Sequence, residues 1–405
     1  SGQIPFEAAR LGCDVFASDL NPVACLLTWG AFNIVGGTEV YQSRLAEAQR
    51  AVVDGVQREI DQLGVETDGR GWRPKAFLYC METRCPQSGW MVPLLPTRVI
   101  TRPGRIIAEL IPDFDNKRYE IVIRAAATDK ELDQATEGTL HRDSRFAEPY
   151  LLHRVNETSY KTKLSTLRGD SLTPDGNIEN HLRLWKKHDF RPQPGDVFQE
   201  RLYCIQWTRP RPEGRGAENE FRSVTQADLE REEIVESFLA KHVANWQSSG
   251  WIPDMRIEPG EPPRYQGLSL IRTRGWTHWH HLFVPRQLLY LGLVRKLIHD
   301  AGEFEPALAV LFARMLDWSS KLCIFGSGAA RESIAHTFYN QALNPLYNYG
   351  ARPFSFAKTY LLEETVNSPL PTRPTVMAQE ARQIDRENDV YITDPPYGDA
   401  VKYEE

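Results

Sequence analysis

Four consecutive residues, Asp394-Pro395-Pro396-Tyr397, combine a carboxylate, two prolyl carbonyls and a flat aromatic ring. The preceding Asp389-Val390-Tyr391-Ile392-Thr393 is β-branched and aromatic, which predicts a short buried strand. The quartet would then stand at the strand's C-terminal end, where open α/β sheets keep their ligands. Two prolines remove two backbone donors and fix φ, so the turn is stiff and its carbonyls face outward. Asp394 and a prolyl carbonyl can accept two amino hydrogens while Tyr397 stacks on a ring. That set suits a planar base with an exocyclic amino group. The plain alternative is a proline-stiffened surface turn, which four residues alone do not exclude.

Two further stretches must position such a site. Near the start, Phe6 to Leu11 reads as a helix, with Pro5 at a favourable first position and Gly12 as its stop. Asp14 to Asp19 reads as a strand ending in an acid. Glycine turn, helix, strand and terminal acid open a nucleotide-binding α/β unit. In that reading Gly2 lets the backbone approach the ligand and Asp19 accepts hydrogen bonds from ribose hydroxyls. Asp19 could instead cap the next helix, but Asn21 before Pro22 is the better cap. Near the end, Thr375 to Ala378 reads as another strand, finishing at Gln379-Glu380-Ala381.

Between these stretches the chain changes character. Helices are predicted over about 22–35 and 39–63, the second with Leu45, Val52, Val56 and Ile60 at helical spacing and Gly64 as its stop. Strands are predicted at 76–81, 105–112, 118–126 and 200–207. Within this β-rich region Cys85-Pro86-Gln87-Ser88-Gly89 has the shape of a zinc knuckle. A structural zinc needs four ligands, usually two close pairs. Ser88 stands where the second ligand belongs, so Cys80 and Cys85, even with Cys204, leave the set incomplete and no stoichiometric zinc is expected. The segment 151–191 is locally basic, with Arg154, Lys161, Lys163, Arg168, Arg183, Lys186, Lys187 and Arg191, and Tyr150, Tyr160 and Trp185 lie among them. It suits a phosphate backbone, or else a solvated surface. Arg272, Arg274 and Arg286 are further candidates for phosphate contacts.

Residues 209–216 read as a flexible linker. Thr225 caps a charged helix, about 226–247, read as a solvent-facing arm. His278, His280 and His281 lack an acidic partner nearby, so packing outweighs metal binding. Helices follow from Pro285, over about 306–322 and over Arg331 to Leu343.

With 405 residues, 41% of them hydrophobic and 25% charged, the chain is long enough for two or more domains with real cores. No apolar run approaches a membrane span. Six scattered cysteines do not make a disulfide framework, which fits a reducing cytoplasm. The net charge of −6 means that a nucleic-acid partner would require positive charge concentrated locally.

Taken together, these stretches resemble the prokaryotic adenine-specific DNA methyltransferases that carry a degenerate zinc ribbon, some of them phage-defence-associated. The resemblance rests on Ile4 to Gly12, Ala17 to Ala24, Cys85-Pro86 to Leu94, Leu282 to Leu288, and Asp394 to Tyr397. It implies an α/β fold: a Rossmann-like S-adenosylmethionine methyltransferase core interrupted by a large β-rich and helical insertion. It divides the chain at 1–71 (first part of the core), 72–210 (β-rich insertion with the degenerate ribbon), 211–300 (helical insertion) and 301–405 (helices and return to the core). Asp394, Pro395, Pro396 and Tyr397 become the catalytic quartet, with the Asp form usual for adenine in DNA. Gly2, Asp19, Leu20, Glu380 and Ala381 become cofactor-binding, with Glu380 where Asp is commoner. The implied partners are DNA and other phage-defence proteins. The alternatives are a non-catalytic DNA-binding subunit, or an enzyme methylating RNA or a protein amide. Only the tail of the family's first glycine-rich motif is present and the strands expected after Tyr397 are not, so the chain is expected to be an internal fragment.

Overall fold

The computed structural model describes residues 2–144, 147–174, 178–212, 215–258, 266–326, 332–340, 346–364 and 366–393. Asp394 to Tyr397 therefore lie outside the described residues. In chain order the elements begin α1 (Gln3–Arg10), β1 (Phe16–Asp19), α2 (Pro22–Gly30), α3 (Glu39–Leu63), β2 (Arg73–Arg84), β3 (Met91–Pro93), β4 (Val99–Thr101), β5 (Ile106–Asp113), β6 (Arg118–Arg124) and α4 (Asp129–Ala135). Next come β7 (Leu140–His141), β8 (Tyr150–Val155), β9 (Thr158–Lys163), α5 (Leu164–Arg168), β10 (Ser171–Leu172), β11 (Ile178–Glu179), β12 (Phe198–Pro210), β13 (Ala217–Ser223) and α6 (Gln226–Ser248). The last are α7 (Gln266–Arg274), α8 (Pro285–His299), α9 (Glu305–Asp317), β14 (Asn348–Ala351), α10 (Phe354–Ala357) and β15 (Thr375–Ala378).

The chain is mixed α/β and forms two compact units, the described residues of 1–42 with 365–405, and those of 43–364. From Ser43 onward helix α3 belongs with the larger unit, because its apolar stripe packs there. A Cβ on Gly55 would stand 2.6 Å from Leu297 of α8. Strand β14 belongs there because it pairs with β2, Gly350 opposite Leu78.

In the smaller unit β1 and β15 pair in parallel, Phe16 opposite Thr375 and Asp19 opposite Ala378. Asn21 caps α2, its side chain accepting from Val23 N at 2.8 Å, with Pro22 in the first turn. The strand expected at 389–393 is not formed. Val390, Tyr391 and Ile392 are 72%, 63% and 67% exposed. A strand needs a neighbour to satisfy its ladder, and among the described residues this sheet consists of β1 and β15. The Tyr391 hydroxyl turns to the chain beside it, donating to Arg386 O at 2.6 Å.

The larger unit is built on an eight-stranded sheet of order β13-β12-β2-β3-β6-β5-β4, with β14 also on β2. It curls strongly: Ile123 N of β6 donates to Ser223 Oγ of β13 at 2.8 Å, although three strands lie between them. One core group, including Leu78, Cys80, Leu95, Ile121 and Cys204, forms on one side. A second, around Trp90, Leu151, Trp185 and Trp276, forms on another.

Several expectations are corrected here. The stretch 209–216 is no linker: Arg209 and Pro210 are the last residues of β12, paired with Glu218 and Ala217 of β13, and Arg211 N donates to Gly216 O at 3.2 Å. Helix α6 is capped as expected, Thr225 and Asp228 forming a capping box. It is not a solvent-facing arm, because Val235, Leu239, Val243 and Trp246 are buried. Trp246 lies so close to α8 that a Cβ on Gly292 would sit 2.3 Å from its ring. The helix expected over Arg331 to Leu343 is replaced, among the described residues, by a bridge of Ile334 to Phe325 and a short 3-10 turn at Thr337–Asn340. Ile334 is drawn into the core beside Gly350. Among the described residues no single helix is long and apolar enough to cross a membrane.

Candidate functional site

Parallel pairing brings the expected cofactor residues together. The Asp19 carbonyl accepts from Gln379 N at 3.0 Å. Asp19 and Glu380 therefore stand at the same C-terminal ends of adjacent strands. Leu20 is 72% exposed and Ala381 is also exposed. Beneath the strand ends the Cys25 thiol lies 3.5 Å from Asp19 O and 3.3 Å from Met377 O. Asp19 is less free than its place suggests. One carboxylate oxygen accepts from Asn21 N at 2.8 Å, and the other has no partner among the described residues. Glu380 is half-buried and paired with Arg382. Gly2 caps α1 at φ +71°, and a Cβ there would lie 2.8 Å from Thr28 Oγ1. Both the left-handed backbone and the close approach require glycine.

Most of the basic residues are already used within the larger unit. Arg168 is held by Asp170, Arg183 by Asp189 and Asp196, Arg191 by Glu236, and Lys187 by Asp254. Arg274 and Arg286, expected to reach phosphates, are 4% and 5% exposed. The Arg274 guanidinium lies 3.8 Å from the centre of the Tyr347 ring and donates to Leu346 O at 3.1 Å. Arg286 pairs with Glu232 and donates to Val65 O at 2.9 Å. Composition could not distinguish these buried arginines from exposed ones. Arg272 stays half-buried and lines a shallow groove with Arg168, Ser165 and Glu148.

The three histidines are buried packing groups. His281 Nδ1 accepts from Thr277 N at 3.1 Å, so its Nε2 is the donor toward Lys186 O at 3.2 Å. His280 Nε2 lies 3.0 Å from Asp189 O. Burial holds His280 down at about 4 and, with His280 beside it, His281 down at about 2.

Cys80 and Cys85 do not converge. Cys80 lies in the core group with Cys204, and burial pushes both thiols up. Cys85 lies in the group with Trp90. Opposite the knuckle, the β8–β9 hairpin presents two inward side chains that the cysteine spacing does not reveal. Ser88 Oγ is 3.1 Å from His153 Nε2, and Cys85 Sγ is 3.9 Å from Thr162 Oγ1. Alternation along β8 and β9 was the signal that could have found them. The Tyr119 hydroxyl donates to Arg154 O at 2.8 Å, so it accepts from His153 Nδ1 at 3.0 Å. Nε2 is then the acceptor and Ser88 the donor. Burial lowers the His153 imidazole to about 4, which keeps it neutral in this role. Among the described residues no three His, Cys, Asp or Glu groups converge on a metal position.

Metal analysis of the purified protein is expected to show no stoichiometric zinc. Ser88→Cys combined with Thr162→Cys should take up one zinc per chain, because Cys85, His153 and the two new thiols complete four ligands. One tightly held zinc in the unaltered protein would reject this account. Comparison with protein-family models, with curated proteins and with solved structures returns no match to the chain.

Proposed function

We propose that the chain carries an S-adenosylmethionine-dependent methyltransferase site acting on the exocyclic amino group of adenine in DNA, within a restriction or phage-defence system. The observation that carries the proposal is the pairing of β1 with β15, which sets Asp19 and Glu380 side by side at parallel strand ends. Gly2, Asp19, Leu20, Glu380 and Ala381 would hold the cofactor. The fit rests on the free Asp19 oxygen and on the glycine-only backbone at the head of α1. The bound cofactor supplies an electrophilic methyl group. Asp394 and the Pro395 carbonyl accept the amino hydrogens and draw the nitrogen toward tetrahedral geometry, which frees its lone pair. That is orientation, together with tighter binding of the transition state than of the ground state. A duplex buries this nitrogen, so the base must be extruded, and Tyr397 stacks on it.

Asp19→Ala and Glu380→Ala are each expected to weaken S-adenosylmethionine binding by about 1.5–3 kcal/mol, the range for losing a hydrogen bond to a charged group. Isothermal calorimetry measures it, and unchanged affinity in both variants would reject the assignment. Labelled methyl transfer to DNA but not RNA is the expected acceptor result. Binding of cofactor and DNA without transfer would favour the non-catalytic subunit.

A further inference from the structure

The small sheet β7–β8–β9 is two-faced. Its inner face carries Leu151, His153 and Thr162, all buried, and is fastened to the main sheet. Leu140 N donates to Leu95 O at 3.0 Å, Gln87 Nε2 donates to Lys161 O at 3.3 Å, and Ser88 donates to His153. Its outer face carries His141, Tyr150, Leu152, Arg154, Lys161 and Lys163. The register fixes this, because Tyr150 pairs with Lys163, Leu152 with Lys161 and His141 with Tyr150.

The cations on this face are exposed and weakly held. Lys161 stands 3.7 Å from Asp143 and Lys163 stands 3.8 Å from Glu148. Exposed pairs of this length contribute little and exchange readily for another anion. Arg154 is exposed, and among the described residues it has no ion pair. By contrast Arg168 and Arg183, nearby in sequence, are gripped by carboxylates that are largely buried. Tyr150 steadies Lys161, whose ammonium lies 3.8 Å from the ring centre, and His141 stacks with the same Tyr150 ring. Lys161 and Lys163 stand two residues apart on one strand, about 6.7 Å.

We infer that the outer face of β7–β9 grips the phosphodiester backbone of DNA through Arg154, Lys161 and Lys163. This rests on the DNA methylation proposed above and assigns it a surface. The sheet carries no base-reading role. It sets position, which is the work of phosphate contacts.

The test is fluorescence anisotropy of the full chain with a labelled DNA duplex, repeated over a range of KCl concentrations. The triple variant Arg154→Gln, Lys161→Gln, Lys163→Gln should bind at least about ten-fold more weakly, and its log–log salt slope should be shallower by about 2.7, or about 0.9 for each phosphate that is no longer neutralised. Lys130→Gln with Lys241→Gln, exposed lysines on α4 and α6, should leave both quantities unchanged. An unaltered slope in the triple variant overturns the inference. If calorimetry still shows cofactor binding in that case, the methyl-transfer reading stands without it. A reduced slope in a chain that binds no cofactor supports this face while removing the methyl-transfer reading. Equal weakening of binding to poly-glutamate would overturn DNA in favour of an acidic peptide.

Discussion

Arg286→Ala is expected to lower the unfolding free energy by about 3–5 kcal/mol, the usual cost of breaking a buried ion pair by removing one partner. Arg286 opens α8, Glu232 sits on α6, and Tyr79 on β2 donates to the same carboxylate at 2.9 Å. The guanidinium also lies 4.2 Å from the centre of the Phe77 ring. One side chain thus joins two helices to the main sheet. Without it, Glu232 and the Val65 carbonyl are left buried with less compensation. Urea denaturation at neutral pH measures the loss. The double variant Arg286→Met with Glu232→Leu should recover part of it, since replacing both charges removes the unpaired carboxylate. A cost below about 1 kcal/mol for Arg286→Ala would place this pair among exposed ones in strength, and the structural role would be lost.

Acid should unfold the larger unit well before carboxylates titrate in bulk. His153, His280 and His281 are held below the ordinary histidine value by burial. The unfolded chain therefore binds protons that the folded chain refuses. Their contribution to stability is complete above about pH 6.5 and is lost as pH falls from there toward the folded values. Each histidine costs about 1 kcal/mol between pH 6.5 and pH 5.5, and about 1.4 kcal/mol for each further pH unit until its folded value is reached. Glu66 works the other way. Burial raises its carboxyl, so its share of stability is present at low pH and is lost as pH rises through its folded value. Burial raises the Glu236 carboxyl in the same direction and lowers the His278 imidazole with the other three, so among the described residues four histidines stand against two carboxyls. The urea midpoint should fall clearly between pH 7.5 and pH 5.5. An unchanged midpoint would mean that these imidazoles are already hydrated in the folded state.

Local signals carried the parts of the fold that were legible. Asn21-Pro22 announces α2, Thr225 announces α6, and the apolar stripe over 39–63 matches α3 at both ends. Each is decided within a few residues by capping or periodicity. Long-range pairing decided the parts that were not. Val390-Tyr391-Ile392 has strong strand propensity, but propensity does not supply a neighbour. Arg274 and Arg286 read as surface cations because their carbonyl, carboxylate and aromatic partners come from distant segments. The pairing of β1 with β15 joins residues more than 350 positions apart. Only the like placement of Asp19 and Glu380 after their strands hinted at it. His153 and Thr162 were hidden because a knuckle is searched for by cysteines, and here hydroxyls and an imidazole occupy the same places.

The exposed Val390-Tyr391-Ile392 segment has a colloidal consequence. Short β-branched and aromatic runs with free backbone groups are templates for strand addition between molecules. Here the run follows Asp385, Glu387 and Asp389 and precedes Asp394 in the sequence. Stacking two such segments in register would set like charges against each other at every flank. These acids act as gatekeepers. Their protection is electrostatic, so it weakens in concentrated salt and as the carboxylates protonate.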